Sequence, residues 1–225
     1  IVNACVKNGV EFNTNTKVTT VNLEKDNITV TANRKKYSAE NVVLAIPKYG
    51  LEKINIIGGK IPKSLINSIE CEPLERIYCV YPKQHGRVWF SGIGKITTNN
   101  KLRYIIPIDE SKGIIMISYT DSKFTSTWKK YKDNKLYESL AIELRQIFPN
   151  KDIPKPLFIK SHYWKCGCGY WKPKNNSEVV SQKMIKPIKN HNLYVCGENY
   201  SQKQAWIEGA LETSELALNT FYAIK

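Results

Sequence analysis

The sequence predicts a mixed fold, α/β in character at its two ends and α+β through its middle. Three observations predict it. Near the C-terminus a short apolar run, Leu193-Tyr194-Val195-Cys196, meets Gly197 and then a stretch of helical periodicity, the pattern of a buried strand turning into a helix. Near the N-terminus two alternating segments joined by Glu24-Lys25-Asp26-Asn27 precede the continuous apolar run Val42-Val43-Leu44-Ala45-Ile46, a hairpin followed by a sheet-interior strand. Between these ends, short alternating segments separated by loops describe an antiparallel meander.

Taken in order, residues 1–9 form the tail of a helix closed by Gly9, and Val10 to Phe12 a short strand. Val18 to Glu24 and Asn27 to Ala32 are the hairpin arms, and Lys35 to Ser38 leads into the apolar run that Pro47 stops. Ile61 to Ile69, opened by Pro62, reads as a short helix. Leu74 to Tyr81, Arg87 to Ser91, Leu102 to Ile108 and Gly113 to Tyr119 are strand candidates, with loops at 92–100 and 109–112. Leu136, Leu140, Leu144 and Ile147 set a helix from Asn134 to Phe148 that ends before Pro149, and Pro156 to Tyr163 is a further strand. From Trp206 onward Ile207, Ala210, Leu211, Ser214, Ala217, Leu218 and Phe221 recur at three- and four-residue intervals. Glu208, Glu212 and Glu215 fall mostly on other faces of this closing helix.

A chain of 225 residues can form one sizeable core or two smaller domains, and 42% apolar content with five Trp and thirteen Tyr argues against disorder. No apolar run approaches the roughly 18–20 residues that span a membrane. No Met opens the chain, which begins within an element; the expectation is a processed protein or part of a longer one. Net charge is 34 − 20 = +14, which attracts anions at long range. The lysines are dispersed, with no zinc finger, basic helix or aromatic RNA-binding motif, so no specific nucleic-acid partner is expected. Cys166-x-Cys168 has too short a spacing for a zinc knuckle, and Cys79 and Cys196 read as small buried hydrophobes. Scattered free thiols point to the cytoplasm or another reducing intracellular compartment.

The order of residues at the C-terminal junction carries more than its periodicity. Cys196-Gly197-Glu198 followed by Trp206-Ile207-Glu208-Gly209-Ala210 resembles the C-terminal flavin motif of the FAD-dependent amine oxidases, which include monoamine, polyamine and L-amino-acid oxidases. The segment from Ala39 to Pro47 resembles the stretch by which that family returns to its FAD domain, and residues 62–184 resemble its substrate domain. The resemblance implies FAD-domain parts at 1–61 and 185–225, the 62–184 substrate domain between them, and a chain corresponding to the C-terminal half of an oxidase. It implies FAD as cofactor, a small-molecule amine as substrate, hydride transfer from amine to flavin, and an N-terminal FAD-domain segment or companion chain as partner.

Carried over residue by residue, the family motif makes Gly197, Glu198, Trp206, Ile207 and Ala210 cofactor contacts, and the backbone of Val18 a contact to adenine. A carboxylate beside phosphate is repulsive, so Glu198 is expected on ribityl hydroxyls. Trp206 becomes one wall of an aromatic cage for the amine. The segment His162 to Pro173 supplies the opposite wall, with Cys168, Tyr170 and Trp171 as alternatives. Cys166 or Cys168 falls where some monoamine oxidases attach FAD covalently. Where many members hold a water with a lysine, this chain has Tyr78 or Arg76, and neither replaces a neutral lysine amine; Lys83 is expected to face elsewhere. No Gly-x-Gly-x-x-Gly follows a strand, so the chain alone is expected to bind FAD poorly. The missing lysine also supports a second reading, a structural or interaction protein that keeps the scaffold without turnover.

Overall fold

The computed structural model describes residues 1–131 and 133–223; the last two residues of the expected 185–225 segment lie outside them. The chain divides into two compact units. Ile1–Glu70 and the residues from Gly169 onward form the first, and Cys71–Cys168 form the second. Sequence reading set the divisions at 61/62 and 184/185. The architecture mixes parallel and antiparallel pairing, as the predicted fold class requires.

In the first unit, α1 (Val2–Lys7) is followed by β1 (Val18–Leu23), β2 (Ile28–Ala32) and β3 (Lys35–Ala39). The expected strand at Val10 to Phe12 is irregular chain, because both apolar side chains point to solvent and find nothing to pack on. β1 and β2 pair antiparallel with Val21 opposite Val30, closed by the Glu24 N–H donating to the Asn27 carbonyl at 2.9 Å. β3 adds antiparallel to β2, and β5 (Asn55–Ile57) adds parallel to β1. Between them lie β4 (Val42–Leu44) and the short helix α2 (Lys48–Leu51). The helix expected over Ile61 to Ile69 is confined to α3 (Lys63–Ile66), since Ile69 already opens the next strand.

The second unit is built on β6 (Ile69–Val80), β7 (Ile96–Thr97), β8 (Tyr104–Asp109), β9 (Ile114–Asp121) and β10 (Phe158–Trp171), in the spatial order β10-β6-β9-β8-β7. β6 and β10 each extend a few residues into the first unit. β6–β9 and β8–β9 are antiparallel, as a meander predicts. The helices α4 (Ser126–Lys129) and α5 (Asp133–Ile147) follow, and α5 buries Leu136, Leu140 and Leu144 at four-residue spacing against Ile77, Ile115 and Ile117. Arg87 to Ser91 is not the predicted strand. Val88, Trp89 and Phe90 leave a turn to plug the core, with Trp89 edge-on to Tyr81 at 5.5 Å and to Phe148 at 5.4 Å. Burial pushes the Cys79 thiol up to about 12, which keeps it protonated as a small hydrophobe.

One buried carboxyl in this unit makes stability depend on pH. Glu75 accepts from Ser161 Oγ at 2.8 Å, while its other oxygen is buried with no hydrogen-bond partner among the described residues. Desolvation raises its pKa from 4.5, against the opposing Ser161 bond and Lys129 charge. The folded state therefore binds the proton more tightly than the unfolded one, and stability falls as pH rises through the ordinary value toward the raised one. Glu75→Gln is expected to raise the melting temperature at neutral pH and leave it unchanged below about pH 4. Thermal scans at both pH values check this.

The thiols differ from their sequence reading. Cys71 and Cys166 form a disulfide, so four cysteines are free rather than six. Neighbouring strands bring together residues 95 apart in sequence, a proximity that cysteine spacing cannot reveal. Cys166 is thereby removed as a candidate for covalent flavin attachment.

The chain then completes the first unit with α6 (Ser177–Ile185), β11 (Leu193–Val195) and α7 (Ile207–Tyr222). Asn176 caps α6 by accepting the Val179 N–H. β11 lies parallel to β4, with Leu193 beside Val42 and Val195 beside Leu44. It is buried on both faces. Leu193 and Val195 join Val21, Leu44 and Ile69 in one cluster, while Tyr194 and Cys196 join Ala217 in another. No helix among the described residues is long and apolar enough to cross a membrane.

Candidate functional site

The junction between β11 and α7 is a cross-braced loop. Gly197, at φ 132°, turns the chain out of the strand, and its N–H donates to Thr213 Oγ1 at 2.9 Å. A 3-10 turn over Glu198–Tyr200 follows. Asn199 is buried and its Oδ1 accepts the Lys48 N–H at 2.8 Å, tying the turn to the start of α2. Gln204 bridges in two directions, donating to the Asn199 carbonyl at 2.6 Å and accepting the Trp171 N–H at 2.9 Å. The Trp171 indole donates to the Ser201 carbonyl at 3.2 Å, and the Tyr200 hydroxyl donates to the Ile66 carbonyl at 3.1 Å. Burial pushes the Tyr200 phenol up, so it stays a neutral donor. Glu198 accepts the Ala205 N–H at 2.8 Å and is paired with the Asn199 amide.

This bracing sets how α7 starts. Trp206 occupies the N-cap position in extended conformation with no side-chain cap, and Trp206 and Ile207 are 74% and 79% exposed. The buried face of α7 is Gly209, Thr213 and Ala217. Of the predicted stripe Ala217 is buried, whereas Ile207, Leu211 and Leu218 are exposed, because small residues, not large ones, let the helix lie close to the loop. Gly209 shows the constraint best. A Cβ there would lie 2.1 Å from Ser201 Oγ and 2.4 Å from the Lys203 carbonyl oxygen. Alanine gains about 1 kcal/mol of helix propensity over glycine, but crowding of this kind costs about 1–3 kcal/mol, and a backbone oxygen moves less easily than a side chain. Gly209→Ala is thus expected to destabilise the protein on balance, with the 197–206 loop losing order first. Amide exchange across that loop checks it.

The sequence-predicted residues fall in several places. Gly197, Glu198, Trp206, Ile207 and Ala210 share the junction. Trp171 is anchored to the same loop, its ring edge-on to Tyr200 at 6.4 Å, and Tyr170 beside it is half exposed. Cys168 is buried. Val18 is in β1, opposite Ala32, away from this loop in the chain but in the same unit. Tyr78 belongs to the other unit, edge-on to His162 at 6.0 Å. Arg76 is buried there, donating to the Thr120 carbonyl at 2.8 Å and the Glu75 carbonyl at 2.9 Å, with its guanidinium 3.1 Å from the Tyr119 ring centre. Burial lowers its pKa, opposed by Tyr119 and Asp121. Lys83 lines a separate polar cleft of about 450 Å³ with Arg87 and Glu110. Sequence reading missed Asn199, Ser201, Gln204 and Thr213. Ser201 and Gln204 had one signal, the polar run Ser201-Gln202-Lys203-Gln204; Asn199 and Thr213 lie outside it.

Comparison with known proteins identifies the class. The profile of the family described as flavin containing amine oxidoreductase matches residues 1–217. The chain belongs to that family. An uncharacterized protein of Acanthamoeba polyphaga mimivirus is 22% identical over 128 residues, 48% of this chain and 25% of that protein. Aplysianin-A of Aplysia kurodai is 32% identical over 77 residues, 31% of this chain and 14% of its own length. The matched stretches thus span a quarter or less of either relative.

Proposed function

We propose that the chain is the C-terminal half of an FAD-dependent amine oxidase, with the start of α7 facing the flavin and an amine substrate. One observation carries the reading: in a chain of this family, Trp206 and Ile207 are held open to solvent on a loop braced at Lys48, Trp171 and Ile66. Large apolar side chains on a rigid exposed mount make a binding surface rather than a core.

These residues fit the ring and ribityl end of FAD. Trp206 and Ile207 offer flat apolar surface, and a helix start without a side-chain cap favours partial negative charge. Glu198 keeps lone pairs for a ribityl hydroxyl beyond those its loop contacts use. Gly197 and Ala210 allow close approach, and the Val18 backbone meets the adenine. Bound FAD supplies the two-electron acceptor for converting an amine to an imine by hydride transfer. Trp206, with Tyr170 or Trp171 as the second aromatic wall, orients the amine. In this reading residues 1–61 and 185–225 serve the FAD domain and residues 62–184 the substrate domain.

The pyrophosphate end is not provided for, since the sequence has no Gly-x-Gly-x-x-Gly. That role falls to an N-terminal FAD-domain segment or a companion chain. The β4–β11 pair supports this partner. It is a parallel sheet of two strands with Val43 51% exposed, whereas parallel sheets are ordinarily larger and covered on both faces. An apolar groove of about 330 Å³ runs along it, lined by Val43, Tyr194, Leu218 and Phe221.

The test is flavin absorbance in the protein carrying this chain with its FAD-domain segment, followed on anaerobic addition of amines. Bleaching is expected. A specific observation favours the alternative, a scaffold without turnover: the strand expected to carry the water-holding lysine has Arg76, bonded to the Thr120 carbonyl, and Tyr78, edge-on to His162, instead. Bound flavin that no amine bleaches would establish that alternative.

A further inference from the structure

The Cys71–Cys166 bond ties β10 to β6 next to an exposed stretch of β10. Ser161 meets Glu75 and Cys166 meets Cys71, so β10 and β6 run in opposite directions. Among the described residues β10 is the edge strand of its sheet, with β6 as its one neighbour. His162, Tyr163, Trp164 and Lys165, the residues just before the bond, are all exposed, so little burial fastens them. Next to the bond, Gly167 lies so close to Leu74 that a Cβ would come within 2.2 Å of its Cγ, so β10 carries no side chain at the residue following Cys166. Cys71 and Cys166 are themselves half-buried, whereas Cys79, Cys168 and Cys196 are buried. Among the described cysteines, the bonded pair is thus open to reagents that the buried thiols exclude.

We propose that Cys71–Cys166 is a redox clasp, opened by a dithiol reductant and closed again by exchange with a disulfide oxidant. Closing takes two electrons and two protons from the pair, and the oxidant leaves as its dithiol. In opening, the dithiol's thiolate attacks one sulfur, the Cys71–Cys166 bond breaks, and the mixed disulfide resolves. Two electrons pass to the pair, each cysteine takes up a proton, and the reductant leaves as its own disulfide. Closed, the clasp fixes the register of β10 on β6. Open, residues 162–168 separate locally from β6 while the rest of the sheet holds. This inference does not depend on flavin or amine binding.

The test is differential alkylation with peptide mass mapping, joined to amide exchange, on protein purified without reductant. A linked Cys71–Cys166 peptide is expected, with the other four cysteines as thiols. Under native conditions a dithiol should convert the pair to thiols and speed exchange across 162–168 by about tenfold or more, leaving 114–121 unchanged. The double variant Cys71→Ser, Cys166→Ser should show the fast exchange with or without reductant. A pair found as thiols at purification, a bond that resists native reduction, or exchange unchanged on reduction would overturn the proposal. Native reduction decides the question even where the double variant fails to fold.

Discussion

Trp206→Ala is expected to lower kcat/KM for the amine by roughly ten- to thirtyfold in the flavin-loaded protein, with the melting temperature unchanged. The stability half of this follows from exposure. Trp206 is 74% exposed and contributes its extended backbone, not a side-chain cap, to the start of α7, so truncation removes little packing. The activity half follows from the cage-wall role proposed for it. An aromatic face on a desolvated cation or its carbon chain is worth up to about 2 kcal/mol, and each 1.4 kcal/mol is about a factor of ten in rate. Trp206→Phe keeps a π face and should recover most of the loss. Steady-state kinetics on the three proteins, with thermal scans, check both halves.

The opposite pattern is expected for Trp128→Ala, which should cost about 3–5 kcal/mol of stability. Trp128 is 1% exposed, and its indole donates to the Lys101 carbonyl at 3.2 Å. It packs in the cluster of Ile77, Leu102, Ile117 and Leu140, so truncation opens a cavity beneath the sheet and strands a carbonyl. A protein of this size shifts by about 2–4 °C per kcal/mol, which predicts a fall of roughly 10 °C. Trp128→Phe isolates the hydrogen bond and should cost less than half as much. Of the two tryptophans, burial alone decides which governs stability.

Sequence reading recovered the elements whose signal is local. The β1–β2 hairpin carried its turn in four polar residues, and α5 carried its buried face in Leu136, Leu140 and Leu144. It failed where tertiary partners decide. β5 is three residues before two glycines and exists because β1 is there to pair with it. Val10 to Phe12 and Arg87 to Ser91 both read as short strands in the sequence; one is exposed chain and the other a turn that buries Val88 to Phe90. In α7 the period was legible and Ala217 fell on the buried side, but Gly209 and Thr213 were not legible, because they carry too little hydrophobicity to announce a packed face. The candidate site divides in the same way. Gly197, Glu198 and Trp206 were legible as a motif, while the Asn199–Gln204 brace depends on Lys48 and Trp171, which are 151 and 33 residues from their partners in sequence.

Amide exchange with and without FAD, on the protein carrying this chain and its FAD-domain segment, reaches the central claim most directly. Protection appearing across residues 197–211 on FAD addition is the predicted result. Tight FAD binding that leaves those amides unprotected would contradict it.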